Sequence, residues 1–142
     1  MISNNKIKQI QSLKTKKGRI KEGLFLIEGV RCIRSFLDNS DDLIELFIVE
    51  SFTSVNENII KLCEKKNIPH TKISDKIMKT ISDTKTPPGV LGISKFTRAP
   101  QMNLNSKRWL YLYKISDPGN LGTILRSAAW FNIKNIALSN DS

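Results

Sequence analysis

The chain's densest chemistry lies in residues 116–128, Ser-Asp-Pro-Gly-Asn-Leu-Gly-Thr-Ile-Leu-Arg-Ser-Ala, where a carboxylate, an amide and a guanidinium surround one turn. The pattern predicts a strand end, a tight Asp117-Pro118-Gly119-Asn120 turn, and a helix that starts at or just after Asn120. Asn is a good N-cap, and the free N–H groups of a first helical turn attract anions such as phosphate. Leu121, Ile124, Leu125 and Ala128 supply a buried stripe. Arg126 lies off that stripe, one turn beyond Gly122. Helical side chains slant toward the N-terminus, so its guanidinium can reach back over Gly122, which has no side chain to obstruct it. An Arg at a helix start suits the holding of a phosphate or a ribose. An ordinary surface Arg after a well-capped turn fits the same residues.

Charge gives a second pointer. The 142 residues carry a net charge of +10, unevenly spread. Residues 1–21 hold seven basic side chains (Lys6, Lys8, Lys14, Lys16, Lys17, Arg19, Lys21) and no acid. Residues 22–84 are slightly acidic, and residues 85–142 carry eight basic groups against Asp117 and Asp141. Two basic ends around a slightly acidic middle suit a polyanionic partner, with simple solubilising charge as the plainer explanation. At 39% apolar and 25% charged residues, a packed core is expected and global disorder is not. Apolar runs such as Leu24-Phe25-Leu26-Ile27 fall far short of the roughly 18 residues of a membrane span. The first residues have no apolar signal region, and a cytoplasmic protein is expected. Cys32 and Cys63 cannot form a disulfide framework or a Cys-rich metal site, and no metal site is expected.

The elements that must position these groups follow from periodicity. Ser3 or Asn4 caps a first helix with Ile7, Ile10 and Leu13 inward, fading at Gly18. Leu24–Ile27 reads as a strand and Val30–Leu37 as a helix stopped by Asn39-Ser40-Asp41. Leu43–Val49 is a second strand, with Ile44, Leu46 and Ile48 on one face. Ser54 and Glu57 form a capping box for a helix ending near Asn67. His70–Ile73 is a strand, Asp75–Ser82 a helix, Pro87-Pro88-Gly89 a turn and Val90–Phe96 a strand. The alternation predicts an α/β sandwich with a largely parallel sheet. Thr97–Ser106 has no period and reads as a linker. Trp109–Ile115, Leu121–Phe131 and Ile136–Ser139 then form one βαβ unit, which cannot cover its own sheet faces and reads as the start of a second domain.

Residues 117–128 resemble the first signature motif of the SpoU (TrmH-like) family of S-adenosylmethionine-dependent RNA 2′-O-ribose methyltransferases. Lys16-Lys17-Gly18-Arg19 and Gly23–Gly29 resemble the opening of the substrate-binding domain that precedes the methyltransferase domain in that family. Pro87-Pro88-Gly89-Val90-Leu91-Gly92 resembles the segment that closes it. The resemblance implies a three-layer α/β/α, ribosomal-protein-like RNA-binding domain over residues 1–96, a linker over 97–106, and the beginning of a trefoil-knotted methyltransferase domain over 107–142. It implies that Asn120 and Arg126 serve the active site and that the substrate is ribosomal or transfer RNA. S-adenosylmethionine is the implied cofactor and a homodimer the implied state of the full-length protein. The family's second and third motifs, which form most of the cofactor pocket, are not among the 142 residues, so these residues alone are expected to bind RNA without binding the cofactor.

Within that resemblance the residue chemistry assigns roles. A guanidinium pKa above about 12 makes Arg126 a poor base in water, so a cation that lowers the hydroxyl pKa while clamping a phosphate is the favoured role over a desolvated base. Asn120 orients the ribose or completes the turn. Asp117, with Pro118, Gly119 and Gly122, shapes the turn. Lys14, Lys16, Lys17, Arg19 and Lys21 are the candidate phosphate contacts, with Arg31 as a further one. Glu28 is expected to brace a backbone N–H or a basic group. His70 reads as a strand-edge residue, Cys32 and Cys63 as core thiols, and Trp109, Tyr111 and Tyr113 as packing residues. A non-catalytic RNA-binding module is the rival reading. A phosphate- or nucleotide-binding α/β protein is weaker, because Gly119 and Gly122 match no phosphate-loop spacing.

Overall fold

The computed structural model describes residues 2–96, 105 and 107–142, the side chains of Ser54 and Val55 excepted. The expected linker, 97–106, lies outside the described residues save for Asn105. The chain forms two compact units, residues 1–97 and 98–142.

The first unit opens with α1 (Asn4–Ser12), capped by Ser3, whose hydroxyl accepts the Lys6 N–H at 3.2 Å. The helix does not run on to Gly18. Thr15 turns the chain by donating its hydroxyl to the Ser12 carbonyl at 3.0 Å and accepting the Gly18 N–H at 3.0 Å, which starts α2 (Lys16–Glu22). Gly18 sits inside α2 against the Ser12 carbonyl, where any Cβ would collide. Gly23, at φ +65°, ends α2 in the left-handed region and delivers β1 (Leu24–Glu28).

Gly29 leads into α3 (Val30–Asn39), followed by β2 (Leu43–Ile48), α4 (Glu50–Val55), α5 (Glu57–Lys65), β3 (His70–Lys72), α6 (Asp75–Ile81) and β4 (Val90–Lys95). Two expectations fail between β2 and β3. The chain folds into the extra helix α4, which contains Ser54. α5 starts from Asn56 rather than Ser54, and Asn56 makes no side-chain cap; the Ser54 side chain, and with it the expected capping box to Glu57, lies outside the described residues. In β2 a register irregularity between Leu43 and Glu45 puts Leu43 beside Leu46 on one face, displacing Ile44 from that set.

The sheet order is β1-β4-β2-β3. β4 runs antiparallel to both β1 and β2, and only β2 and β3 are parallel, so the sheet is mixed rather than largely parallel. β1 and β2 do point the same way, as a β-α-β alternation demands. What alternation cannot reveal is that β4 enters reversed into the slot between them. β4 is buried from Val90 to Ser94, so both its faces are covered. A Cβ at Gly92 would lie 2.9 Å from Ile33 Cδ1, which puts α3 on the face shared by Leu43 and Leu46. Glu45 pairs in register with Ile93 on the opposite face and forms a 2.7 Å ion pair with Lys6 of α1. With α5 against α3 and α6 against α1, the unit is a three-layer α/β/α sandwich. Ile10, Leu13, Ile33, Leu37, Leu46, Phe47, Met78, Ile81 and Leu91 fill it at 1% exposure or less. Cys63 is buried, but Cys32 is exposed, since it stands one residue, and so about 100° of helix, away from Ile33.

The second unit is β5 (Trp109–Leu112), α7 (Pro118–Trp130) and β6 (Asn135–Leu138). The two strands pair in parallel, Trp109 opposite Asn135 and Leu112 opposite Leu138. β5 ends at Leu112, and Lys114 then takes φ +53°. Tyr111 and Tyr113 are more than 60% exposed and Trp109 is 41% exposed, so the strand alternation does not bury them. Of the expected helix stripe, Ala128 is buried, Leu121 and Ile124 are half-buried and Leu125 is exposed.

Candidate functional site

The N-terminal basic cluster divides by function. Lys14 is half-buried and donates its ammonium to the carbonyls of Ser82 (2.5 Å) and Thr80 (3.2 Å), with Asp83 at 3.9 Å. Arg19 Nη1 donates to the carbonyls of Leu13 (3.2 Å) and Lys14 (3.0 Å), closing the C-terminal end of α1. Both cations therefore spend donors on the fold. Lys16, Lys17 and Lys21 are exposed, and among the described residues none has a hydrogen-bond or ion-pair partner. Arg31, in the first turn of α3, is exposed as well.

Glu28 closes the same region from the end of β1. Its Oε1 accepts the Asp83 N–H at 2.7 Å, and its Oε2 accepts the Ser82 hydroxyl at 2.6 Å and that of Thr84 at 3.4 Å. Glu28 and Lys14 thus converge on residues 82–84, one binding hydroxyls and an N–H, the other carbonyls. The segment that leads to Pro87-Pro88-Gly89 is held from both sides.

In the second unit the start of α7 differs from expectation. The N-cap is Asp117, whose Oδ1 accepts the Asn120 N–H at 2.6 Å, and Pro118, Gly119 and Asn120 form the first turn. Pro at the first helical position loses no hydrogen bond, which favours this earlier start. Asp117 also places its own carboxylate where a bound anion would sit, so the bare helix end is not an open phosphate site. Asn120 is exposed. Arg126 folds back as its helical position dictates: Nη1 lies 3.5 Å from the position a Gly122 Cβ would take. Its Nη2 donates to Thr123 Oγ1 at 3.1 Å, and that hydroxyl donates to the Gly119 carbonyl at 3.0 Å. Thr123 was not singled out from sequence, although its spacing of four from Gly119 and three from Arg126 is the signal that finds it. The turn, Arg126 and Thr123 are brought together. The basic cluster and Glu28 belong to the other unit.

Elsewhere, burial pushes the Cys63 thiol up to about 11, with Glu64 adding to the effect. Among the described residues no group of His, Cys, Asp and Glu could hold a metal ion, and no helix is long and apolar enough to cross a membrane.

An α/β/α sandwich joined to the strand–turn–helix of a β5-α7-β6 unit is a two-part α/β architecture. Residues 4–92 match the model of the MRM3-like substrate-binding domain, and the chain belongs to that family. The chain is 28% identical over 126 residues to the 23S rRNA (guanosine(2553)-2′-O)-methyltransferase RlmP of Bacillus subtilis, covering 88% of this chain and 47% of that protein. Its fold superposes on a protein from Porphyromonas gingivalis described as an RNA methyltransferase of the TrmH family, with TM-score 0.78 and 26% identity, covering all of this chain and 54% of that one. It also superposes on the AdoMet-bound rRNA methyltransferase of Sinorhizobium meliloti with TM-score 0.76 and 25% identity, covering 97% and 52%. The chain spans about half the length of these proteins.

Proposed function

We propose that the chain is the RNA-engaging part of an S-adenosylmethionine-dependent RNA ribose 2′-O-methyltransferase acting on ribosomal or transfer RNA in the cytoplasm, as a homodimer at full length. The observation that carries this is the Arg126 guanidinium drawn back over Gly122 at the head of α7, in a chain whose residues 4–92 match a substrate-binding domain. Residues 1–96 grip the RNA, 97–106 link, and 107–142 begin the catalytic unit. Lys16, Lys17, Lys21 and Arg31 neutralise phosphates, which positions RNA without reading sequence, while Lys14 and Arg19 hold the surface in shape.

Asn120 orients the acceptor ribose. Arg126 faces the 2′-hydroxyl and a neighbouring phosphate, and its fixed positive charge favours the alkoxide that develops as the proton leaves. Asp117, Pro118 and Gly119 set the turn, and Gly122 keeps the path of the guanidinium open. S-adenosylmethionine supplies the methyl group when bound. The described residues around Arg126 do not fit that cofactor by themselves: Asp117, Asn120, Thr123 and Arg126 are all exposed, so these four side chains offer its adenine no buried surface.

The test is ribose-methylation mapping of ribosomal and transfer RNA from cells with and without the full-length protein. One 2′-O-methyl site should disappear, and a synthetic RNA carrying 2′-deoxyribose at that position should accept no methyl group from labelled cofactor. Methylation that persists on the deoxy substrate would overturn the assignment to the ribose oxygen.

A further inference from the structure

Helix α2 combines features that are costly for a mere connector. Ile20 is 70% exposed in the middle of a helix of seven residues, and Lys16, Lys17 and Lys21 surround it. These four side chains line a shallow depression of about 600 Å³. Lys17 and Lys21 stand at i,i+4, a like-charge pair that destabilises an isolated helix. The acids that could relieve it are elsewhere: α2 has none in its first turn, and its one carboxylate, Glu22, accepts from Gln9 at 3.1 Å. Lys14 and Arg19, the neighbouring cations, are engaged with backbone carbonyls, so Lys16, Lys17 and Lys21 are the ones left facing outward.

An apolar centre rimmed by ammonium groups fits a ligand with the same layout, a flat uncharged face between two anions. An unpaired nucleotide has it: a base between its own phosphate and the next one. A duplex does not, because the flat faces of its bases are stacked inward and its grooves present only base edges, 2′-hydroxyls and phosphates. We propose that the outer face of α2 holds one unpaired nucleotide of the RNA, with the base against Ile20 and the flanking phosphates against Lys16, Lys17 and Lys21. This deepens the reading above by naming the substrate class, RNA with a single-stranded or looped-out nucleotide. It rests on that reading.

Fluorescence anisotropy with the protein separates the two levels, using a single-stranded RNA, a fully paired duplex of equal length, and the duplex carrying one bulged nucleotide. The wild type should bind the single-stranded and bulged RNAs more tightly than the duplex. Ile20→Ser should lose about fivefold on those two and nothing on the duplex, with an unchanged salt slope, since the variant removes apolar contact with the base and no charge. The triple variant Lys16→Gln, Lys17→Gln, Lys21→Gln should lose affinity for all three RNAs and flatten the single-strand salt slope by about 2, from roughly 0.7 per phosphate released. If Ile20→Ser keeps the wild-type preference while the triple variant weakens, the nucleotide pocket is overturned and RNA binding stands. If the triple variant binds like the wild type, RNA gripping by α2 itself is overturned. A change of oligomeric state in Ile20→Ser by sedimentation would assign the face to a second copy of the chain and likewise overturn the proposal.

Discussion

Glu28 and Asp83 lie 55 residues apart in sequence and meet through a 2.7 Å hydrogen bond, the Asp83 N–H donating to the Glu28 carboxylate. The other oxygen of that carboxylate takes the Ser82 hydroxyl, so one side chain at the end of β1 fixes the segment that enters β4. Glu28→Ala removes the acceptor of the Asp83 N–H and of the Ser82 and Thr84 hydroxyls. A lost acceptor at a partly buried donor such as the Ser82 hydroxyl costs about 1–3 kcal/mol, and less at the exposed Asp83 N–H, where water replaces it. Urea unfolding should show Glu28→Ala destabilised by about that amount, with Glu28→Gln losing less because an oxygen acceptor remains. Equal stability of Glu28→Ala and wild type would remove the brace.

Gly92 faces a different constraint, one of space rather than conformation. A methyl there would stand 2.8 Å from Leu43 Cδ1, 2.9 Å from Ile33 Cδ1 and 3.2 Å from Leu46 Cδ2, all in the packed layer between sheet and α3. Overpacking of a closed core costs about 1–3 kcal/mol. Gly92→Ala should lower the urea midpoint accordingly without altering the slope, and Gly92→Val should cost more. An unchanged midpoint for Gly92→Ala would mean that α3 moves freely against the sheet.

These two sites mark how far the sequence was legible. Hydrophobic period located β1, α3, β2, α6 and β4 to within a residue or two, because each buries a continuous face that only one period can supply. Strand direction was not legible: that β4 slips reversed between β1 and β2 depends on pairing between residues 42 to 71 positions apart, and no local pattern encodes it. The break between α1 and α2 was hidden because Lys14-Thr15-Lys16 continues a helical composition, and only the Thr15 hydroxyl reveals the new start. At α7 the reach of Arg126 over Gly122 followed from helical geometry alone. The cap was misplaced because Asp117 and Asn120 are both good N-caps, and Pro118 decides for the earlier one.

The two thiols should differ in reactivity and in their effect on stability. Cys32 is exposed and Cys63 is buried, with its thiol pushed up to about 11 from 9.0. Native protein treated with iodoacetamide near neutral pH should take up one adduct, on Cys32, and a second only after unfolding. For stability, the folded state keeps the Cys63 proton where the unfolded chain has already released it. The contribution is therefore full below pH 9.0 and is lost as pH rises from there toward 11. Urea unfolding of wild type against Cys63→Val should show a stability difference that shifts in favour of the variant over this window. A difference independent of pH would mean that Cys63 ionises alike in both states.

The last prediction concerns Arg126 and the residue that holds it. Thr123 accepts from Arg126 Nη2 at 3.1 Å while donating to the Gly119 carbonyl, so the guanidinium is tied to the turn through one hydroxyl. Arg126 is exposed, and removing an exposed side chain changes stability by about 0.5 kcal/mol or less. In the full-length protein Arg126→Ala should therefore leave the thermal midpoint in place while lowering the rate of methyl transfer by about a hundredfold or more, as loss of a preorganised donor at a developing charge does. Arg126→Lys should stay close to the alanine variant, because an ammonium cannot hold Thr123 and reach a phosphate with a planar fork. Thr123→Val should reduce the turnover number with little change in KM for RNA, and Thr123→Ser should restore it. If Arg126→Ala transfers methyl groups at the wild-type rate, Arg126 has no part in the reaction. If only Thr123→Val does, the guanidinium finds its position without the hydroxyl.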